Sequence, residues 1–487
     1  MELDPQICYT AMESRDERFD GRFYISVKTT GIYCRPVCPV PCPQPHNVEY
    51  YPTAASASAA GYRPCLRCRP ESAPGTSEWD AASFILGQAL RLINEGYLDE
   101  ANIDDLAASL NTGTRQLRRI FQTHLGASPK AVAQTRRLHF AKKLIDETAL
   151  PMTEIAFSTG FSSVRRFNDV IRATYSRSPT QIRKLTKSMR NNHKDDLLHM
   201  RLNFRSPYDW PALIRFLQAR AIPGVEHITP ESYQRSVYMG KETGLLTITP
   251  QIEGRYLQLS VTPNLSPHLM TIVERLRRMF DLAANTNSIA LHFKKHEVLA
   301  PIFKRHPGLR LPGAWDPFEL SVRAILGQQI SVQAANTLCG RLVQQFGEEM
   351  PLDEENNITH LFPVPQKLMD TDIAQIGMPA KRAQTIRSLA QAVHDGQLNW
   401  KTYTSLDDLV NNLKVLPGIG DWTAHYIAMR AFSEPDTFPA SDLGLRKAVG
   451  KDGTAISTKA LGQLAEAWKP WRAYAAMALW ASLHEEV

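Results

Sequence analysis

The amino-acid sequence predicts a multidomain, mainly α-helical protein with two small sheet-bearing segments, and three observations carry that reading. The chain has 487 residues, too many for one hydrophobic core and suited to three or four domains. Apolar residues recur at helical spacing through about 80–190 and 286–487, whereas strand-like alternation is confined to about 197–285. Six of the seven cysteines, Cys8, Cys34, Cys38, Cys42, Cys65 and Cys68, crowd into the first seventy residues, and Cys339 stands apart. Net charge is +7 with a pI of about 8.9, an excess whose meaning depends on where the charges sit. No apolar run reaches membrane length, and the acidic opening Met1-Glu-Leu-Asp-Pro5 is no signal peptide, so a cytoplasmic location is expected. In a reducing compartment crowded thiols favour a metal over disulfides.

Residues 1–75 are the first expected domain, a small α/β unit closed by the loop-like Glu71-Ser-Ala-Pro-Gly-Thr-Ser77. Cys34-x3-Cys38 and Cys65-x2-Cys68 are two short-spaced thiol pairs that together can close a tetrahedral zinc site. Cys42, between two prolines, is able to replace one of them. Taken alone, a four-cysteine set usually holds a fold together. The surrounding Thr29-Thr-Gly-Ile-Tyr-Cys-Arg-Pro-Val-Cys-Pro39 and Gly61-Tyr-Arg-Pro-Cys-Leu-Arg-Cys-Arg-Pro70 resemble the N-terminal domain of the Ada DNA-alkylation-repair proteins. The resemblance implies Zn2+ on Cys34, Cys38, Cys65 and Cys68. It also implies that Cys34 accepts, once and irreversibly, the methyl group of a DNA methylphosphotriester. Methylation would remove one negative charge from a four-thiolate zinc centre and so weaken its repulsion from the phosphate backbone. Arg35, Arg63, Arg67 and Arg69 flank the thiols and are candidates to hold that backbone.

Residues 80–190 read as two helix-turn-helix units. Asn102–Leu110 followed by Thr112–Phe121 is the first, and Met152–Phe161 followed by Ser162–Ile171 is the second. Between Thr112 and Lys143 there are eight Lys or Arg and no Asp or Glu. By itself such a run is equally a solvated face. Gly160-Phe-Ser-Ser with Phe167-Asn, then Ser178-Pro-Thr-Gln-Ile-Arg183, resembles the AraC-type DNA-binding domain. That resemblance assigns Thr114, Arg115, Gln116 and Arg118 to one recognition helix, and Ser162, Ser163, Arg165 and Arg166 to the other. The polar run Lys187–Lys194 reads as a linker.

From 197 to 285 the strands Leu198–Phe204, Ser236–Met239, Gly244–Thr249 and Arg255–Val261, with helices at Trp210–Ala219 and Pro267–Leu282, predict a small antiparallel α+β domain. It resembles the N-terminal domain of AlkA-type glycosylases and is expected to be scaffold. The remaining residues, 286–487, are expected to be all-α.

Within this last segment Leu416-Pro-Gly-Ile-Gly-Asp-Trp-Thr-Ala424 joins two helical patterns. Pro417 stops the first helix, while Gly418 and Gly420 permit positive φ and a close backbone approach. The amides opening the second helix make a seat for a phosphate. An ordinary glycine turn is the plain alternative. Asp442, in Thr437-Phe-Pro-Ala-Ser-Asp-Leu-Gly-Leu-Arg446, precedes an amphipathic helix, and its modest role is that of an N-cap. Together the turn and the acid resemble the helix-hairpin-helix-GPD superfamily of base-excision DNA glycosylases, most closely its AlkA-type 3-methyladenine DNA glycosylase II members.

That resemblance implies that Asp442 stabilises an oxocarbenium-like transition state. Trp422 stands where strand-cleaving relatives carry a Schiff-base Lys, which implies a monofunctional enzyme without lyase activity. Trp422, Tyr426 and Trp480 match pocket residues, whose electron-rich faces attract cationic alkylpurines; Trp468 and Trp471 read as core. Gln329, with Ile330 beside it, occupies the apolar wedge position used when a nucleotide is flipped. Leu416, Gly418 and Gly420 are expected to grip DNA. No cysteines follow the hairpin to hold an iron-sulfur cluster, and Cys339 lacks the Pro-Cys-His-Arg setting of an alkylguanine methyltransferase.

The whole implies an alkylation-damage response protein that joins methylphosphotriester-sensing transcriptional activation to glycosylase activity on alkylated purines. Its expected partners are double-stranded DNA, both alkylated and at promoters, and RNA polymerase. It is expected to be monomeric, free of membranes and associated with the nucleoid. A regulator with a structural zinc site and an inert glycosylase-like module is the alternative.

Overall fold

The computed structural model describes residues 3–74, 84–186, 196–353, 357–398, 400, 403, 405–450 and 453–483. The end of the predicted 71–77 loop and the predicted linker Lys187–Lys194 lie outside the described residues. The chain forms two compact units, Met1–Phe204 with Arg255–Glu274, and Arg205–Gly254 with Arg275–Val487. Among the described residues no helix is long and apolar enough to cross a membrane.

In the first unit a four-stranded sheet runs in the order Val48–Tyr51, Tyr24–Val27, Ile32–Cys34, Arg63–Pro64. The last pair is parallel and the others antiparallel. Alternation along one short strand serves both faces: Phe23 and Ile25 pack with Cys8, Ala11 and Met12 of the helix Pro5–Glu13, and Tyr24 packs with Tyr33 and Ala57. Two helical pairs follow, Ile103–Ser109 with Thr114–Leu125 and Met152–Ser158 with Val164–Tyr175, separated by the long helix Pro129–Glu147. Asn102 and Asp105 close a capping box on the first helix, and Ser163 caps the last. Leu117 and Phe121, like Phe167 and Ile171, recur at i, i+4 and are fully buried, which turns the basic side of each second helix to solvent.

The helix Pro129–Glu147 also carries the sheet segment. Arg69 pairs with Glu71 at 3.2 Å, Asp146 at 3.2 Å and Glu147 at 3.0 Å, and Lys142 pairs with Glu71 and Asp146. The Tyr33 hydroxyl meets His139 Nε2 at 2.8 Å. Burial pushes the His139 ring down to about 4, and Lys142 and Arg69 help to draw the Glu71 carboxyl down to about 2 against the upward push of its burial. The basic run Thr112–Lys143 is therefore not one solvated face. Arg136 and Arg137 are paired with Asp99, Lys142 and Lys143 face the buried acids, and Arg115, Arg118, Arg119 and Lys130 are the ones that point outward.

In the second unit Glu226–Ile228, Tyr233–Met239 and Glu242–Gln251 make an antiparallel meander. Arg235, buried on this sheet, reaches Glu319 of the helix Pro317–Leu326 at 2.7 Å, and Arg323 of the same helix lies 3.8 Å from Glu226. These buried pairs fix the helix that leads into the site. One expectation is corrected: the segment 286–487 is not purely helical, because Glu349–Asp353 and Ile358–His360 pair as a hairpin. Its strands are too short for an alternation signal, and tertiary bonds hold the second one. Thr359 and His360 both donate backbone N–H to the Gly224 carbonyl, and Ser236 Oγ donates to the His360 carbonyl.

Candidate active site and metal centre

The helices Leu406–Lys414 and Asp421–Ala431 flank the glycine turn, the first capped by Ser405. Gly418 has φ +89°, and a Cβ there would lie 2.0 Å from Thr385 Oγ1, so glycine is required twice over. Gly420 differs from expectation: its φ of −91° with ψ −179° is extended backbone open to any residue. A Cβ on Gly420 would meet nothing within 4 Å, so neither its backbone conformation nor its neighbours require a glycine there. Leu416 is half-buried beside the turn. Gln328, which sequence reasoning passed over, ties the turn to the loop after Pro317–Leu326. Its Nε2 donates to the Gly418 carbonyl at 2.9 Å and to Thr423 Oγ1 at 3.0 Å, while Arg382 donates to its own carbonyl at 2.6 Å. In that loop Gln329 stands exposed in the left-handed region with φ +58°, next to exposed Ile330.

Asp442 caps the helix Leu443–Val449, accepting from Leu445 N at 2.9 Å through Oδ1. The same oxygen accepts from Trp480 Nε1 at 3.2 Å, and Oδ2 accepts from Trp422 Nε1 at 2.9 Å. Three neutral donors therefore orient a carboxylate that no cation pairs among the described residues. Trp422 stacks on Tyr426 with centroids 5.2 Å apart and planes 9° apart, and Trp480 meets Tyr426 edge-on at 6.3 Å. These four residues line one cleft of about 230 Å³ together with Arg220 and Arg323. Neither arginine carried a motif, and both were missed. Burial alone would raise the Tyr426 hydroxyl; Arg430, Arg220 and Arg323 outweigh it and hold the group below its usual value. Trp468 is fully buried, as expected of core, whereas Trp471 is half-buried.

At the other end of the chain the Sγ atoms of Cys34, Cys38, Cys65 and Cys68 all lie within 4.8 Å of one another, and all four residues are buried. Cys42 is exposed outside the set, and Cys8 belongs to the apolar cluster behind the sheet, where burial pushes its thiol up to about 11. The Arg35 N–H points at Cys68 Sγ at 3.4 Å. The donor set and its size fit a tetrahedral, thiolate-bound metal ion. The flanking arginines divide. Arg35 is locked between Asp20 and the Cys68 carbonyl, and Arg69 is spent on the buried acids, so neither is free to hold a backbone as expected. Arg67 is exposed, and Arg63 is exposed with a bond to Ser176. Arg115, Gln116 and Arg118, and Ser162, Ser163, Arg165 and Arg166, are exposed on their helices, while Thr114 is half-buried and bonded to Asp104 at 2.6 Å.

Four family models match the chain: the metal binding domain of Ada over residues 7–71, a helix-turn-helix domain over 106–185, the AlkA N-terminal domain over 199–316, and the HhH-GPD superfamily base excision DNA repair protein over 322–473. The chain is 37% identical over 489 residues to a probable bifunctional transcriptional activator/DNA repair enzyme AlkA of Mycobacterium tuberculosis, covering 100% of this chain and 98% of that protein. It is 35% identical over 282 residues to DNA-3-methyladenine glycosylase 2 of Escherichia coli, covering 57% of this chain and 95% of that protein. The solved 3-methyladenine DNA-glycosylase from Archaeoglobus fulgidus superposes with a TM-score of 0.50 at 19% identity, covering 59% of this chain and 99% of that one, a likeness of fold.

Proposed function

The chain belongs to the family of bifunctional transcriptional activator/DNA repair enzymes of the AlkA type, and from that membership we propose that it senses methylphosphotriesters through Cys34 and hydrolyses the N-glycosidic bond of alkylated purines such as 3-methyladenine through Asp442. In this reading residues 1–75 receive the methyl group, 80–190 bind promoter DNA, 197–285 are scaffold and 286–487 excise bases. The protein acts as a monomer in the cytoplasm, associated with the nucleoid, and engages RNA polymerase as an activator.

The observation that carries the reading is the Asp442 carboxylate, held by Trp422, Trp480 and Leu445 N–H groups at the wall of an aromatic cleft beside the hairpin. Three neutral donors orient it without pairing its charge, so that charge is available to the cation that develops at C1′ as the base leaves. The C1′–N bond breaks with its electron pair going to the base, which leaves neutral, and water supplies the new C1′–O bond while one of its O–H bonds breaks and releases the proton to solvent. Purines alkylated at N3 or N7 carry a positive charge and depart readily, which makes a paired general acid unnecessary. Trp422 and Tyr426 offer the flipped base a stacked π surface. Trp422, in place of a Schiff-base Lys, leaves the strand intact and an abasic site behind. Leu416 and the amides around Gly418 and Gly420 grip a phosphate, and Gln329 with Ile330 fills the space that the flipped base vacates.

At the cysteine cluster, Zn2+ held by Cys34, Cys38, Cys65 and Cys68 would keep the thiols deprotonated. Cys34 Sγ attacks the methyl carbon, a C–S bond forms, the methyl C–O bond breaks, and the phosphate returns to an ordinary diester anion. Arg67 and Arg63 remain to meet the backbone, and the outward arginines of the two recognition helices, Arg115, Arg118, Arg165 and Arg166, meet the promoter.

One experiment tests both halves. Duplex DNA treated with a methylating agent is incubated with wild type, Asp442→Asn and Cys34→Ser. Release of 3-methyladenine by wild type and Cys34→Ser but not by Asp442→Asn is expected, with a single methyl adduct on Cys34 by mass spectrometry. No release by wild type overturns the excision reading, and an unmodified Cys34 overturns the sensor reading.

A further inference from the structure

The cleft beside Asp442 is lined by a cation that the excision chemistry does not use. Arg220 follows the helix Trp210–Gln218, its guanidinium packed 3.8 Å from the centroid of the Phe216 ring, and Phe216 in turn lies 6.4 Å from Trp480. The other two arginines near this wall are committed. Arg323 lies between Glu226 at 3.8 Å and Glu319 at 3.9 Å. Arg430 donates to the carbonyls of Pro312 and Gly313 and to the Tyr426 hydroxyl. Among the described residues Arg220 makes no ion pair, and the side-chain bond it makes is to the Phe216 carbonyl at 3.2 Å. A half-buried guanidinium with five N–H groups thus keeps donors for whatever enters the cleft.

A fixed positive charge there works against the aromatic walls. It repels a cationic base that Trp422 and Tyr426 attract, unless the base brings an acceptor that offsets the repulsion. The two purine classes differ on this edge. A 6-oxopurine presents O6 and N7 as two acceptors in the geometry of an arginine fork, whereas a 6-aminopurine turns N–H donors toward the guanidinium. We propose that Arg220 is a specificity-determining residue that favours extruded purines bearing a carbonyl oxygen at C6 over those bearing an amino group. The inference rests on the excision reading above and adds to it a preference among substrates.

N3-methylguanine and N3-methyladenine test the effect, because both are cationic, are methylated at the same atom and differ at the C6 edge; the amino group that guanine also carries at C2 is the same for every protein compared, so the readout is the change in their ratio on substitution. Both are released from one sample of methylated duplex DNA and counted in one chromatogram, with wild type, Arg220→Met and Arg220→Lys. The ratio of 3-methylguanine to 3-methyladenine release is expected to fall about 10- to 100-fold in Arg220→Met. It falls in Arg220→Lys too, because an ammonium keeps the charge without the fork. Thermal midpoints of the three proteins show whether the fold is intact. An unchanged ratio, whether both rates hold or fall together, overturns the assignment and leaves the excision reading standing. Absence of release by wild type overturns the excision reading and this inference with it.

Discussion

The indole N–H of Trp422 donates to Oδ2 of Asp442 at 2.9 Å while the same ring stacks on Tyr426. One side chain thus aims the carboxylate and builds part of the cleft wall. Replacing Trp422 by Phe separates the two duties, since the ring remains and the donor is lost. Hydrogen bonds to charged groups contribute about 1.5–3 kcal/mol, so Trp422→Phe is expected to slow 3-methyladenine release about tenfold or more. Loss of the carboxylate charge in Asp442→Asn costs more, on the order of 10²–10³-fold. Single-turnover release rates of the two variants check the ranking; a Trp422→Phe rate equal to wild type denies the indole its orienting duty.

Gly418 offers a sharper test of the hairpin. With φ at +89° and Thr385 Oγ1 only 2.0 Å from where an alanine Cβ would stand, Gly418→Ala must shift the turn or the helix Ala380–His394. If the hairpin grips DNA as proposed, the amides that follow would then miss the phosphate they are proposed to hold. Affinity for undamaged duplex is expected to drop, and the salt dependence of binding to flatten by about one phosphate contact. Gly420→Ala, in open extended backbone, is expected to keep the protein's stability and to weaken binding through bulk alone. Fluorescence anisotropy across a salt series distinguishes them.

In the first unit Lys142 lies between Glu71 at 3.3 Å and Asp146, all three within about a hundredth of full burial. Lys142→Met removes one of the two cations shared by Glu71 and Asp146 and leaves Arg69 alone to hold both buried carboxylates. Breaking a buried pair on one side costs about 3–5 kcal/mol. Chemical denaturation of Lys142→Met is expected to show an early transition from the first unit, whereas Arg115→Ala on the exposed recognition helix is expected to unfold as wild type does.

These cases mark what was legible. Cys34, Cys38, Cys65 and Cys68 could be read as a cluster because metal ligation imposes short spacings, and the capping role of Asp442 because it stands directly before an amphipathic helix. Charge runs mislead, since spacing does not say which side of a helix faces water. Lys142 and Lys143 sit in the same acid-free run as Arg115 and Arg118, yet they serve the interior. Arg35 and Arg69 illustrate the same limit of spacing: their neighbours in sequence are thiols, but their ion-pair partners, Asp20 and Glu147, come from elsewhere in the fold. Arg220 and Gln328 had no motif at all, because each gains its meaning from residues far along the chain.

Asp281 yields a prediction in pH. Buried on all sides, with φ +49°, it accepts from the Tyr474 hydroxyl at 2.8 Å and Leu311 N at 3.1 Å through one oxygen. Burial pushes its carboxyl up to about 6, with the nearby Arg310 charge offsetting part of the shift. Between about 4 and 6 the folded protein therefore holds a proton that the unfolded chain has released. By linkage the stabilisation from this group is fully present below the ordinary carboxylate value and is lost as pH rises through about 6, an effect on the order of 1–3 kcal/mol. Asp281→Asn keeps the shape and tolerates the left-handed backbone, but it does not titrate. Its thermal midpoint is expected to gain on wild type by several degrees between pH 4.5 and pH 7, about 2–4 °C per kcal/mol for a unit of this size. A constant offset between the two proteins across that range would mean that Asp281 stays ionised in the fold.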